Sequence, residues 1–298
     1  MIRTIDPQKV SVGAFHSYML GAIAPRPIAF VSTMDSAGQV NLSPFSFFNA
    51  FGSNPPLVVF SPSRRVRDNT TKHTLENVRE VPEVVINIVN YKMVQQMSLA
   101  STEYEKGINE FVKVGLTETK SVNVKPPRVK EAPVAFECKV LEVVPIGQEA
   151  GAANLVICEI LLAHIDESVL DENDQITPGK LDAVARMGGD WYCRANGEAL
   201  FKVKKPLKTK GLGVDQLPEK VRLSVVLTGN DLGKLGNVES FPDEVAIYDY
   251  ARRPEIEEML VRFQNDKESL IFHLHEYAKE LLEEDKVEEA WLVLLQVE

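Results

Sequence analysis

Val134-Ala-Phe-Glu-Cys-Lys-Val140 alternates strictly, with Val134, Phe136, Cys138 and Val140 on one face and Glu137 and Lys139 on the other. A strand of that pattern belongs to a sheet with one buried face and one face toward water. Asn154 to Leu162 (NLVICEILL) reads differently, being apolar on both faces apart from Glu159. Such a strand needs cover on both sides, from a barrel interior on one and a second subunit on the other. Ile28-Ala-Phe-Val-Ser-Thr33 is another β-branched run, and Asp35-Ser-Ala-Gly38 supplies turn residues for a hairpin whose return strand is Val40 to Phe48. Pro55-Pro56 precedes the short strand Leu57 to Phe60; Lys72 to Glu80 has helical character, and Glu83 to Val89 is again a strand. Many strands joined by Gly and Pro turns, with few helices, predict an antiparallel barrel from Pro27 to about Phe201.

The pattern changes near Lys202. Lys202 to Lys210 is basic and broken by proline, and Gly, Asn and Asp are frequent up to Asn237. From Pro254 onward apolar residues recur at helix spacing, among them Ile256, Met259, Leu260, Leu270, Leu274, Ala278 and Leu281, and a second helix spans about Lys286 to Gln296. The reading is a first domain over 1–205 and a mainly helical extension over 206–298, folded as a helical hairpin.

Composition narrows the function. The chain has 298 residues, of which 44% are hydrophobic and 26% charged, the profile of an ordinary globular protein. A net charge of −10 argues against general affinity for nucleic acid or anionic membrane, which needs clustered Lys and Arg. No run approaches the roughly 20 apolar residues of a membrane span, and Met1 to Gly13 lacks a signal-peptide core, so a cytoplasmic protein is expected. Cys138, Cys158 and Cys193 are far apart and form no CxxC pair. There is no GxGxxG for a dinucleotide fold and no GxSxG elbow, and Gly179-Lys180 lacks a phosphate loop. His273 and His275 lie two apart on a predicted helix and point in different directions, so solvated or capping histidines are expected there rather than a metal site.

Two stretches stand out chemically. Arg64, Arg65, Arg67, Lys72 and His73 crowd into ten residues holding a single acid, Asp68, with Ser61, Ser63, Thr70, Thr71 and Thr74 around them. In so acidic a chain this is either a phosphate cradle of charge-assisted hydrogen bonds or a solvated loop, and composition weighs the two evenly. Upstream, Asn41-Leu-Ser-Pro-Phe-Ser-Phe-Phe48 carries Pro44, which cannot donate to a sheet ladder, so the strand should be edge-like or interrupted there. Its free backbone groups would suit the polar edge of a flat heteroaromatic ligand, with Phe45, Phe47 and Phe48 as a wall. An edge strand with aromatic core residues accounts for the same pattern, and the chemistry alone leans that way.

The order of these segments resembles the flavin reductase-like, FMN-binding split-barrel family. The similarity lies in Pro25-Arg-Pro27, Phe30 to Thr33, Asp35 to Gly38, Asn41-x-Ser43-Pro44-x-Ser46 and Pro55-Pro56. It continues in Lys72-His-Thr74-Leu-x-Asn77, Val85-Ile-Asn87, Asn154 to Ile160 and Arg186-Met-Gly-Gly-Asp-Trp-Tyr192, covering about residues 10 to 205. The resemblance implies a mainly β fold, a six-stranded antiparallel Greek-key split barrel. The tail beyond about Lys205, expected as a helical appendage, is not part of the common domain, and the resemblance says nothing about its role. The resemblance also implies a homodimer with flavin mononucleotide (FMN) in a groove near the subunit interface. By residue match, Asn41, Ser43, Pro44, Phe45 and Ser46 would line the isoalloxazine ring, with Thr33 close to it. Ser61, Arg64, Lys72 and Thr74 would hold the phosphate, and Arg186 and Tyr192 would stand near the ring. His73 departs from the family's usual Asp. The implied activity is an FMN-dependent oxidoreductase of the NAD(P)H:flavin reductase type. An FMN-binding electron carrier without its own reductase activity is the alternative, and a non-flavin interaction protein stands behind both. Catalytic residues are left unassigned, and no metal ligand is expected.

Overall fold

The computed structural model describes residues 1–297, which divide into two compact units, Met1–Phe201 and the chain from Lys202 onward. In the first unit eleven strands run β1 Ala29–Met34, β2 Val40–Phe45, β3 Phe48–Ser53, β4 Pro56–Phe60, β5 Glu83–Ile88, β6 Glu118–Thr119, β7 Arg128–Val129, β8 Val134–Ile146, β9 Ala153–Ile165, β10 Val184–Arg186 and β11 Tyr192–Arg194. Five helices accompany them among the described residues: α1 Val12–Ala22, α2 His73–Glu80, α3 Val94–Leu99, α4 Glu110–Val114 and α5 Pro178–Leu181. Seven strands form one antiparallel sheet in the order β2-β1-β5-β8-β9-β4-β3, and β6-β7 and β10-β11 are separate pairs.

Residues at the β1–β2 turn act as their chemistry demands. The Asp35 carboxylate accepts the Ala37 and Gln39 N–H groups at 3.0 and 2.8 Å, and Gly38 takes φ +86°, a left-handed conformation open to glycine. β2 is an edge strand, with Pro44 opposite Phe30 of β1 and, among the described residues, no strand on its other side. The single return strand expected from Val40 to Phe48 ends at Phe45. The chain turns at Ser46-Phe47 and resumes as β3, which pairs with β4 at the opposite edge of the sheet. The main sheet therefore counts seven strands where six were expected.

Two layers of apolar side chains explain why β1 is buried from Ala29 to Thr33. Ala29 and Val31 pack with Phe45, Phe60, Leu75, Ile86, Cys138 and Cys158 in the barrel interior. Ile28 and Phe30, on the other face, pack with Leu42, Met93, Met97 and Phe111, carried by and beside α3 and α4. Burial pushes the Cys138 thiol up to about 12 and the Cys158 thiol well above its usual value, so both act as core residues.

β8 corrects the simple alternation. Glu137, expected to face water, is 0% exposed. The register of β8 against β9 shifts between Glu137 and Cys138, and the loop Ser121–Val129 covers this part of the sheet. The Glu137 carboxylate accepts N–H groups of Val122 and Asn123 at 2.8 and 2.6 Å and meets His164 Nε2 at 2.7 Å. Glu83 and Asn87 of β5 take the Lys125 and Val129 N–H groups of the same loop at 2.8 and 2.9 Å. Three polar side chains thus replace the missing strand ladder for an irregular segment. β9 has a buried face of Asn154, Val156 and Cys158, whereas Leu155 and Ile157 are half-buried and Leu161 is exposed.

The second unit has its own core of Leu217, Val221, Leu235, Ile256, Leu274, Leu282, Trp291 and neighbouring residues. It is more helical than a hairpin. α6 Glu219–Arg222, α7 Gly229–Leu235 and α8 Glu244–Tyr250 precede α9 Pro254–Arg262, α10 Lys267–Glu283 and α11 Val287–Leu294. A reciprocal cap between Thr228 and Asp231 starts α7, and the Trp291 indole N–H reaches the Leu235 carbonyl at 3.2 Å. His275 is neither solvated nor a cap: it is buried and bonded to the Ser224 hydroxyl at 2.8 Å, and burial lowers its pKa. His273 is half-buried, stacked on Phe263 with centroids 4.6 Å apart. Among the described residues no helix is long and apolar enough to cross a membrane.

Candidate functional site

Lys72 ends the basic loop and precedes α2, and its ammonium group lies 4.9 Å from the centroid of the Phe45 ring on β2. Around it a cleft of about 60 Å³ is lined by Ser43, Arg65, Lys72, His73, Glu103 and Glu110, with Asn41 and Thr74 beside them. Burial, and then repulsion from Arg65, lower the Lys72 pKa against the attraction of Glu103, and among the described residues no carboxylate comes within ion-pair distance of it. The helix that follows has no side-chain cap: the Leu75 N–H takes the Lys72 carbonyl at 2.9 Å, and the His73 and Thr74 N–H groups are left without an acceptor among the described residues. A cation and an uncapped helix N-terminus sit together at the sheet edge.

The rest of the basic cluster is partly committed. Arg64 donates from Nε to the Asn69 side chain at 2.6 Å, and its terminal NH₂ goes to the Asn69 carbonyl. Arg65 and Arg67 both grip Glu103, at 3.0 and 2.8 Å, and the hydrogen bond from Arg67 is the main reason the Glu103 carboxyl lies below its usual range. The sequence shows one acid in this loop; Glu103 arrives from a segment more than thirty residues downstream.

Asn41 is 8% exposed, and both ends of its amide are engaged. Its Nδ2 donates to Glu110 Oε1 at 2.8 Å, and its Oδ1 accepts the Thr74 hydroxyl at 2.7 Å. The second Glu110 oxygen accepts the Leu42 N–H at 2.9 Å. Burial pushes the Glu110 carboxyl up, outweighing the hydrogen bonds from Leu42 and Asn41 that favour its charged form. Sequence reasoning misses Glu110, as it misses Glu103. Its only local signal is an acid opening a short helix, at Asn109-Glu110-Phe111.

Of the residues expected around a ligand, Asn41, Ser43, Lys72 and Thr74 therefore meet in one cleft. Phe45 turns its ring inward onto Phe60, 5.4 Å between centroids. Phe47 points outward and meets the edge of His16 at 6.1 Å, so the three phenylalanines do not form one wall. Thr33 is fully buried in β1 and accepts a hydrogen bond from the Asn77 amide at 3.0 Å. Pro44 and Ser46 are half-buried at the end of β2 and outside the cleft. Ser61, after β4, is held by its N–H to the Phe47 carbonyl at 2.9 Å, while its hydroxyl is buried without a partner among the described residues.

Arg186 and Tyr192 belong to the β10–β11 pair, with the guanidinium 4.7 Å from the ring centroid. Arg186 also exchanges both backbone hydrogen bonds with Arg26, each at 2.9 Å. Arg26 is buried, donates to the Leu20 and Ile23 carbonyls at the end of α1 and reaches the Met187 carbonyl at 2.7 Å. The Pro25-Arg-Pro27 element thus ties α1 to the Gly188-Gly189 turn. There, a side chain at Gly188 would meet the Gly21 Cα at 3.1 Å.

Residues 20–180 match the model of the flavin reductase like domain. An uncharacterized protein from Aquifex aeolicus is 39% identical over 188 residues, 63% of this chain and 93% of its own length. Nitrilotriacetate monooxygenase component B from Bacillus cereus is similar at 27% identity with a TM-score of 0.64, covering 68% of this chain and 99% of that one. The Pseudomonas fluorescens 2-nitrobenzoate 2-nitroreductase NbaA is similar at 28% identity with a TM-score of 0.59, over 70% of this chain and 100% of its own.

Proposed function

This chain belongs to the flavin reductase-like domain family, and we propose that it binds FMN on the barrel and serves as an oxidoreductase of the NAD(P)H:flavin reductase type. The observation that carries the reading is Lys72, a cation with no carboxylate within ion-pair distance among the described residues, set at the N-terminus of α2, which has no side-chain cap. An anion there would meet a point charge and the positive end of a helix together. Ser61 supports the fit, because its buried hydroxyl has no partner of its own among the described residues. Lys72, the first α2 amides and Ser61 are the groups proposed to hold the FMN phosphate. Arg64 is a weaker contributor, since Asn69 already occupies it. The backbone of Ser43 to Ser46, on the unpaired side of β2, is proposed to line the isoalloxazine ring, with Arg186 and Tyr192 near it.

When bound, FMN supplies the redox chemistry by accepting a hydride and passing electrons on. The protein's part is to bind and orient it. The described residues form no second nucleotide-binding fold to hold a nicotinamide dinucleotide, so its binding should be weak and transient. Assembly as a two-fold homodimer is part of the proposal. The half-buried Leu155 and Ile157 and the exposed Leu161 on the outer side of β9 support it, since no strand of their own barrel covers them. The flavin site is proposed to lie wholly within a domain ending near Lys205.

Titration with FMN and riboflavin tests the phosphate assignment. Lys72→Ala should weaken FMN by about 1.5–3 kcal/mol, roughly ten- to a hundred-fold, and leave riboflavin unchanged. Equal binding of the two flavins by the unaltered protein would sink it. Anaerobic spectra test the activity: NADH or NADPH should bleach the bound flavin. Bleaching by dithionite alone would leave an FMN-binding electron carrier. A protein truncated near Lys205 should keep its FMN.

A further inference from the structure

We infer that Glu110 is a positioning residue of the flavin-binding strand, and that it fixes the hydrogen-bond polarity of Asn41 and Thr74. The inference rests on the reading that β2 carries the flavin. β2 has a strand on one side only, and the Leu42 N–H on its open side ends on Glu110 at 2.9 Å, where a further strand would otherwise accept it. The other carboxylate oxygen takes the Asn41 amide at 2.8 Å. Asn41 and Leu42 immediately precede Ser43 to Ser46, so the edge that faces the proposed ring is clamped from α4.

The chemistry of the carboxylate decides more than position. An ionised carboxylate only accepts hydrogen bonds, so it forces Asn41 to present its NH₂ group toward α4 and its oxygen toward α2. Thr74, 2.7 Å from that oxygen, must then give its one hydroxyl proton to Asn41. The Thr74 hydroxyl is left with lone pairs and no donor. A phosphate needs donors, so this side chain cannot serve it, contrary to the expectation from sequence. The phosphate depends instead on Lys72 and the α2 amides. Glu110 is 4% exposed and Thr74 1%, so water cannot easily take over either bond.

Exchanging the roles of the two side chains tests the assignment. Asn41→Asp alone sets two carboxylates face to face, and Glu110→Gln alone sets two NH₂ groups face to face unless the Asn41 amide turns over. The double variant Asn41→Asp/Glu110→Gln restores every bond, with the polarity reversed only in the one between positions 41 and 110. The glutamine amide introduced on α4 would donate to the carboxylate introduced on β2, and its oxygen would accept the Leu42 N–H. Thr74 would still donate to the side chain at position 41. Flavin affinity, read by fluorescence quenching, should fall about tenfold or more in Asn41→Asp and by less in Glu110→Gln. It should recover in the double variant, and FMN and riboflavin should be affected alike, because the clamp acts on the ring side. Loss in both single variants without recovery would overturn the polarity assignment, as would single variants that bind like the parent. A loss confined to FMN would place Glu110 at the phosphate instead.

The melting temperatures and the Leu42 amide resonance of the same four proteins need no flavin. A parent protein that binds neither flavin would therefore defeat the proposed function. The cycle in stability would still support the clamp if the double variant recovers, and overturn it if it does not.

Discussion

Two glutamates are buried in the barrel unit, and the protein treats them in opposite ways. Glu137, on β8, receives two loop N–H groups and a histidine; although burial pushes its carboxyl up, these bonds outweigh burial and hold it below the ordinary range. Glu110, on α4, receives one backbone N–H and one side-chain amide, and burial wins. The difference lies in the donors and in desolvation together, Glu110 being the more heavily desolvated of the two. A carboxylate meeting an ordered loop and an imidazole becomes a pin for that loop, whereas one with fewer donors keeps a costly charge beside the proposed flavin edge.

The largest test of the contrast is Glu137→Ala. It strands the Val122 and Asn123 N–H groups and His164 together, and should cost about 3–5 kcal/mol in the unfolding of the barrel unit by urea. If the loss stays below about 1 kcal/mol, the level of a single ordinary hydrogen bond, Glu137 is no pin. His164→Ala removes one of the three donors and should cost less, about 1.5–3 kcal/mol. A loss equal to that of Glu137→Ala would make the histidine, rather than the loop, the main partner.

The pH dependence of stability should separate the two acids by sign. Glu137 is depressed, so its contribution is present above the unfolded value of about 4.3 and is lost as pH falls through its lower folded value. Glu110 is raised, so its contribution is greatest below about 4.3 and is lost as pH rises through its higher folded value. Glu137→Gln should flatten the acid limb of the stability curve, and Glu110→Gln the limb above it. Curves that change on the same limb would erase the distinction. The smallest effect belongs to an exposed counterpart. Arg67→Ala frees one side of Glu103 at the surface and should leave the urea midpoint where it was, because exposed ion pairs contribute little.

These contrasts also mark what can be read in the chain beforehand. The Asp35 to Gly38 turn, the edge character forced by Pro44 and the helix after Lys72 all follow from local chemistry, and each is present. Alternation misplaces Glu137 because it assumes that one face meets water, and the loop covering that face comes from elsewhere in the sequence. Glu110 and Glu103 escape notice for the same reason, lying 69 and 36–38 residues from the groups they hold. The site's cations are local and visible; the acids that answer them are distant. α1 goes unread because it buries no residue fully and has little one-sided pattern, while α6 and α7 are too short for periodicity to register.

The two hydrophobic cores share no residue: those of the barrel unit end at Val184 and that of the helical unit begins at Leu217. Each unit thus carries an apolar interior of its own. Substitutions that repack Trp291 and its neighbours therefore act on residues that belong to none of the barrel's own clusters. The match to the Aquifex protein takes in 93% of that protein's length and 63% of this chain.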